Sequence, residues 1–322
     1  MCWEREDLVG YSRRIWFEEK FAKYIPNRTD YTEEEWDPQF VQADVNLGNL
    51  CNLKCRMCGT WASNEWYDDN NALAKINHRY GRQVTDKKLH TYDIDYIKQI
   101  LPNIQDIKRI DFKGGEPMLA KAHNQFLEWL IDIGKTDIHL LYTTNGTVIN
   151  PRIKELFSHF SNISLIFSIE GTGERYRYIR GGRYGIDQIE NNISEYNQID
   201  GMHIGFNVTI QNYNLLGLRD LHEQLWKWNN EYENVSAIRA FTTICNKPKY
   251  LSPMNVPDGM RDTALEQLDG IEDFTGLCKS LKNREFHPRR WQLFKEFTQD
   301  LDRLREDSLF SACPEFEEYW NE

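Results

Sequence analysis

From residue 40 onward the chain alternates two hydrophobic patterns. Segment 40–47 places apolar and polar side chains in strict turn, the period of a strand with one face packed and one face polar. Segments 107–112, 138–142, 163–169, 202–210 and 235–243 are further strands, short and rich in β-branched and aromatic residues. Between them apolar residues recur at helical spacing. The pattern predicts helices over 61–76, 92–101, 120–133, 151–160 with Pro151 in its first turn, 187–196 and 215–229. A charged, Tyr-rich stretch, 172–185, leads into the fifth of these. Residues 13–23 form an amphipathic helix ended by a loop at 26–32, and 258–268 and 289–305 are helices beyond the last strand.

Six strands, each followed by helix, imply a parallel sheet with right-handed crossovers. Six units suit a barrel open on one side better than a closed eight-stranded one. The expected fold is therefore α/β: a partial (β/α)6 TIM-like barrel over 39–246. An N-terminal helical extension (1–38) precedes it and a helical C-terminal extension (247–322) follows. No repeat, low-complexity tract or linker interrupts this order.

Composition narrows the function classes. The 322 residues carry a net charge of −11, which argues against a broad nucleic-acid-binding face, since that would need clustered Lys and Arg. No apolar run approaches the ~18 residues of a membrane span. The ten Trp, sixteen Tyr and sixteen Phe residues are read chiefly as core.

The chemistry concentrates after the first strand, in Cys51-Asn52-Leu53-Lys54-Cys55-Arg56-Met57-Cys58. Three cysteines spaced C-x3-C-x2-C, with the next far away at Cys245, are one short of the four ligands of a closed zinc site or an electron-transfer cluster. Three thiolates on a cubane leave one iron open to a small molecule. Lys54 and Arg56 are expected to place positive charge beside the thiols and keep them deprotonated. Zinc completed by His78 or His90, and a chance group of buried thiols, are the alternatives. A disulfide framework does not fit seven cysteines in a long chain opening MCWERED, without a signal peptide.

In parallel βα folds, chemistry gathers where strands end. The second strand runs into Gly114-Gly115-Glu116-Pro117, the third into Thr143-Thr144-Asn145, and the fourth into Ser168-Ile169-Glu170-Gly171. Two glycines let backbone approach a ligand, and Glu116 can accept a hydrogen bond from an amine. Arg180 lies in the Tyr-rich stretch and Asn207 amid the apolar residues of the fifth strand. A surface ion pair and a satisfied core amide are their respective alternatives.

The cysteine spacing, with Met57 beside the last cysteine, resembles the cluster motif of the radical S-adenosylmethionine (radical SAM) superfamily, over roughly residues 40–246. The resemblance implies a 4Fe–4S cluster on Cys51, Cys55 and Cys58, with the amino and carboxylate groups of SAM on the fourth iron. It implies an enzyme that reductively cleaves SAM to a 5′-deoxyadenosyl radical, which abstracts hydrogen from a peptide or small-metabolite substrate. Gly114, Gly115, Glu116 and Pro117 would face the methionyl end. Thr143, Thr144 and Asn145 would face the nucleoside, Ser168, Glu170 and Asn207 the ribose, and Arg180 the SAM carboxylate. A reductant such as flavodoxin or ferredoxin would be a partner, and an oxygen-sensitive cluster suits the cytoplasm.

Cys2, Cys245, Cys278 and Cys313 lack paired spacing, so one cluster is expected rather than two. Cys245, just after the sixth strand, is a candidate hydrogen donor to a substrate radical, a ligand of a second cluster, or an idle thiol. The segments Cys2-Trp3-Glu4-Arg5-Glu6-Asp7, Ser12-Arg13-Arg14, Asp302-Arg303-Leu304-Arg305 and Pro314-Glu315-Phe316 resemble twitch-domain-containing radical SAM proteins of phages and bacteria. The functional alternative is a cluster- or zinc-bound barrel that binds or regulates without cleaving SAM.

Overall fold

The computed structural model describes residues 13–22, 40–101 and 103–322. The expected loop at 26–32 and most of the N-terminal extension, Cys2 included, lie outside the described residues. Helix α1 (Arg13–Phe21) is followed by β1 (Gln42–Asn46), α2 (Tyr67–Ile76), α3 (Ile94–Ile100), β2 (Arg109–Lys113), α4 (Lys121–Asp132), β3 (His139–Thr144) and α5 (Pro151–Phe157). Next come β4 (Ile163–Ser168), α6 (Gly173–Arg180), α7 (Ile186–Tyr196), β5 (Met202–Asn207), β6 (Thr209–Ile210), α8 (Leu218–Glu231), β7 (Val235–Ser236) and β8 (Thr243–Ile244). Helices α9 (Asp258–Leu268), α10 (Thr275–Lys282), α11 (Pro288–Arg305), α12 (Leu309–Ala312) and α13 (Phe316–Tyr319) follow.

Strands β1, β2, β3, β4, β5 and β7 lie in sequence order in one sheet, and every neighbouring pair is parallel. This is the expected partial (β/α)6 barrel. Its stability follows from the alternation in each strand. Ile163, Leu165 and Phe167 of β4 are buried, while Ile163's neighbours in the other phase are half-buried. The buried set meets the helices: Phe112 packs on Phe126 of α4, Phe167 on Tyr196 of α7, and Phe206 on Trp228 of α8. Each such side chain contributes about 1.5–3 kcal/mol by leaving water. The other phase is mostly polar: Thr143, Ser164, His203, Asn207 and Ser236 line a common hollow together with Ile166.

The structure departs from the sequence pattern in three regions, segment 172–185, the last two strands and the start of the helix at 61. Segment 172–185 contains a helix, α6, whose Tyr176, Tyr178 and Ile179 are buried, so its tyrosines are core rather than connection. The predicted strand 202–210 breaks at Val208, whose N–H donates to Ala240 O at 2.9 Å. The predicted strand 235–243 shrinks to two residues. Asn229 Oδ1 accepts from Ala237 N at 3.1 Å, and Arg239 turns the chain at φ 63°. The leftover ends, β6 and β8, pair with each other as a small second sheet. Third, the helix expected from residue 61 begins only at Tyr67, because Ser63 caps a single 3-10 turn over Asn64–Trp66.

His123 of α4 is enclosed by the rings of Phe112, Tyr142 and Phe157. Its Nδ1 lies 3.0 Å from Asn124 Oδ1, and its Nε2 lies 3.0 Å from the Tyr142 hydroxyl. Burial lowers its pKa to about 4. The native imidazole thus stays neutral where the unfolded one, near the ordinary 6.5, takes a proton. Its contribution is fully present above pH 6.5 and is lost as pH falls towards 4, by about 3 kcal/mol. Urea titrations across that window should show this slope in the wild type and its removal in His123→Gln. An unchanged slope in the variant would contradict the assignment.

Candidate active site

The three cysteines sit on the loop that leaves β1, and other elements hold that loop by its backbone. Cys51 N donates to Asn64 Oδ1 at 2.8 Å, and the Ser63 hydroxyl donates to Leu53 O at 2.5 Å. The Trp66 indole donates to Cys55 O at 2.9 Å, and Arg82 donates to Cys58 O at 3.2 Å. Arg56 N donates to Ile179 O of α6 at 2.8 Å. Loop carbonyls and amides that no helix or strand could pair are thereby satisfied.

The end of β2 docks on the same loop. Gly115 N donates to Gly48 O at 2.9 Å, and Glu116 N donates to Leu50 O at 2.8 Å. Gly114 stands at φ +123°, and a Cβ there would overlap Gly48 O and the Asn46 side chain. A Cβ on Gly115 would overlap the Leu50 carbonyl. The two glycines therefore serve the approach of strand end to cysteine loop. The sequence had suggested an approach to a ligand.

The charges beside the cysteines are arranged differently from expectation. Lys54 pairs with Asp69 at 3.5 Å. Arg56 is buried and turns away, pairing with Asp302 at 2.5 Å and Asp307 at 2.9 Å beyond the barrel. Its Nε donates to Tyr178 O at 2.9 Å, and its guanidinium lies 3.4 Å from the Tyr178 ring centroid. Neither cation holds the thiols deprotonated. Burial pushes Cys51 up, Cys58 to about 11 and Cys55 to about 12, and the cation that opposes this at all three is Arg180. Binding an iron–sulfur cluster here would release the thiol protons.

Cys51, Cys55 and Cys58 line one cavity of about 500 Å³. Gly114, Gly115, Thr143, Thr144, Asn145, Ser168, Glu170 and Arg180 line it too, so three strand ends and the end of α6 converge on the cysteine loop. Asn145 Nδ2 lies 3.8 Å from Cys51 Sγ and donates to Asn52 Oδ1 at 2.8 Å. Arg180 and Glu170, both buried, form an ion pair at 2.9 Å. Burial pushes the Glu170 carboxyl upward, and Arg180 opposes it. Arg180 Nε is buried without a hydrogen-bond partner.

Four predicted site residues lie outside that lining. Glu116 is buried, accepting from Thr144 Oγ1 at 3.0 Å and from Asn145 N at 2.7 Å. Burial raises its pKa to about 7, with the Asn145 amide opposing. It ties the end of β2 to the end of β3. Pro117 opens the 3-10 turn that follows. Asn207 accepts from the Thr243 hydroxyl at 2.9 Å and lines the hollow within the barrel. Cys245 is buried, its Sγ 3.6 Å from Lys247 O, with its pKa raised by burial to about 11. Sequence reasoning missed Arg82, Asn52, Lys113 and Thr209, which hold the loop or line the cavity. Asn52 had a signal, its place between two cysteines.

Among the described residues all six cysteines are free. Among them, too, no three His, Cys, Asp or Glu side chains gather as ligands of one metal ion. Thiolates that cap three corners of a cubane bind three different irons and stand apart, so a cluster does not require such a gathering. The donor set fits a three-thiolate cluster: three cysteines facing one cavity, with the unpartnered Arg180 Nε on its wall to meet an anionic ligand.

A family model described as the Radical SAM superfamily matches residues 45–220. No curated protein matches the chain. Among solved structures, SuiB of Streptococcus suis bound to precursor peptide SuiA is similar at 16% identity and a TM-score of 0.40, over 86% of this chain and 51% of that one. anSMEcpe with bound AdoMet is similar at 13% identity and a TM-score of 0.43, over 70% and 59%. TsrM of Kitasatospora setae, with cobalamin and a 4Fe-4S cluster bound, is similar at 9% identity and a TM-score of 0.39, over 58% and 32%. The chain spans about half the length of the first of these.

The docking of β2 on the cysteine loop gives a direct test. Gly115→Ala should displace the loop and lower iron per chain after reconstitution, with the helical circular dichroism signal retained. Full iron in this variant would show that the glycine does not set the loop.

Proposed function

The chain belongs to the radical SAM superfamily, and we propose that it cleaves S-adenosylmethionine reductively and removes a hydrogen atom from a peptide or small-molecule substrate. The family's cofactors are a 4Fe–4S cluster and SAM. The observation that carries the proposal is the shared cavity: three cysteines of one loop and the polar ends of β2, β3 and β4 line the same space. Held there, a reduced cluster would supply the electron needed to cleave a carbon–sulfur bond of SAM. Cys51, Cys55 and Cys58 are the proposed cluster ligands. Arg180 meets the carboxylate of SAM, held rigid by its ion pair with Glu170. Thr143, Asn145 and Ser168 offer hydrogen bonds to the nucleoside from rigid strand ends. Glu116 acts at one remove, holding Thr144 and Asn145 in place. No helix among the described residues is long and apolar enough to cross a membrane. A small electron-transfer protein is the proposed reductant.

Anaerobic reconstitution should give a brown protein that releases 5′-deoxyadenosine from SAM on reduction with dithionite. Alanine at Cys51, Cys55 or Cys58 should each abolish that release, and the triple variant should retain no cluster iron. SAM left intact by the fully loaded wild type would favour a cluster-bound binding module instead.

A further inference from the structure

A second cavity, of about 580 Å³, borders the first across the cysteine loop. Met57, Cys58 and Trp61 line both. Asn70, Tyr80, Arg82, Lys247, Pro248 and Tyr250 are among the residues that bring the rest of its wall.

Its charge is one-sided. Arg82 and Lys247 line it, and no Asp or Glu does. The whole chain carries 50 acidic against 39 basic side chains, so this wall runs against the general balance. Among the described residues the hydrogen-bond acceptors of Arg82 are neutral, Cys58 O at 3.2 Å and Asn70 Oδ1 at 3.4 Å, and the Asp69 carboxylate that also acts on it is already paired with Lys54 and Arg305. The Arg82 guanidinium lies 4.0 Å from the Trp66 ring centroid and 5.7 Å from that of Phe297, which fixes its plane. Its Nε is buried without a hydrogen-bond partner, and the Tyr250 hydroxyl on the same wall interacts with the Arg82 side chain. Burial pushes the Tyr250 pKa upward, so that hydroxyl keeps its proton and can donate. A buried donor with nothing to donate to is costly unless a ligand completes it. Lys247 is exposed at the mouth.

We propose that this cavity is a subsite for an anionic group of the substrate, a carboxylate or a phosphate, held by Arg82, Lys247 and the Tyr250 hydroxyl. The proposal rests on the reading of the neighbouring cavity as the place of SAM cleavage. Arg82 gives a planar, pre-positioned donor edge, and Lys247 gives a mobile point charge. Trp61, 78% exposed on the rim between the cavities, offers an apolar face to the part of the substrate that spans them. The anion then sits beside Cys58, and the carbon to be attacked lies on the far side of the shared rim. Substrates without an anionic group at that separation are excluded.

Calorimetric titration of the reconstituted full chain with inorganic phosphate, and separately with glutarate, distinguishes the two anions. Saturable binding of at least one is expected. Lys247→Glu should weaken it about tenfold or more, the effect of losing a charge-assisted contact. Lys249→Glu makes the same charge change outside this lining and should leave affinity within about twofold. Binding of neither anion, or equal losses in the two variants, would overturn the proposal. So would a Lys247→Glu protein that loses iron yet titrates as the wild type, since the cations would then serve the cluster's own charge. 5′-Deoxyadenosine release by the wild type is scored separately. Its absence would remove the enzymatic reading and leave the anion titration to decide this one.

Discussion

Two opposite faces on each strand organise this molecule. A parallel sheet covered by helices needs an apolar outer face, and the helices supply partners such as Phe126, Tyr196 and Trp228. A barrel of only six strands does not fill its own interior with packed layers, so its inward face can be polar. That face carries Asp111, His139, Ser164 and Asn207 along β2 to β5. Polar groups therefore arrive at every strand end as a consequence of the alternation, and the cysteine loop closes over them.

The loop itself has no regular structure to hold it. Its order is borrowed from an indole, a serine hydroxyl, an asparagine amide and two arginines. Among these Arg56 is the most demanding. A fully buried guanidinium is costly unless acceptors compensate it. Asp302 and Asp307 are such acceptors, so the C-terminal helices and the cysteine loop stand or fall together.

Most of the barrel is legible in the sequence because periodicity reports local burial, and β3, β4 and α7 fall close to their predicted limits. The last strand is not, since its early end depends on Asn229 reaching Ala237 from another element. The cysteine loop and the strand-end residues Thr143, Asn145, Ser168 and Glu170 are legible as one cavity lining, because chain topology alone delivers strand ends to one place, and Arg180 reaches it from the end of α6. Side-chain direction is not. Glu116 reads as a ligand group and lies as a brace, and Arg56 reads as a neighbour of thiolates and points the other way. Arg82 carries no signal at all, being a loop arginine whose importance appears only when Trp66 and Cys58 meet it in space.

The Arg56 clamp has a consequence for biosynthesis. Its two carboxylate partners lie 246 and 251 residues further along the chain. At about 5–20 residues per second, a ribosome needs roughly 10–50 s to make that distance. During that interval the three cysteines are already translated and the loop lacks the two carboxylates of its Arg56 clamp. A loop clamped by both carboxylates is thus complete only after the C-terminal helices have emerged.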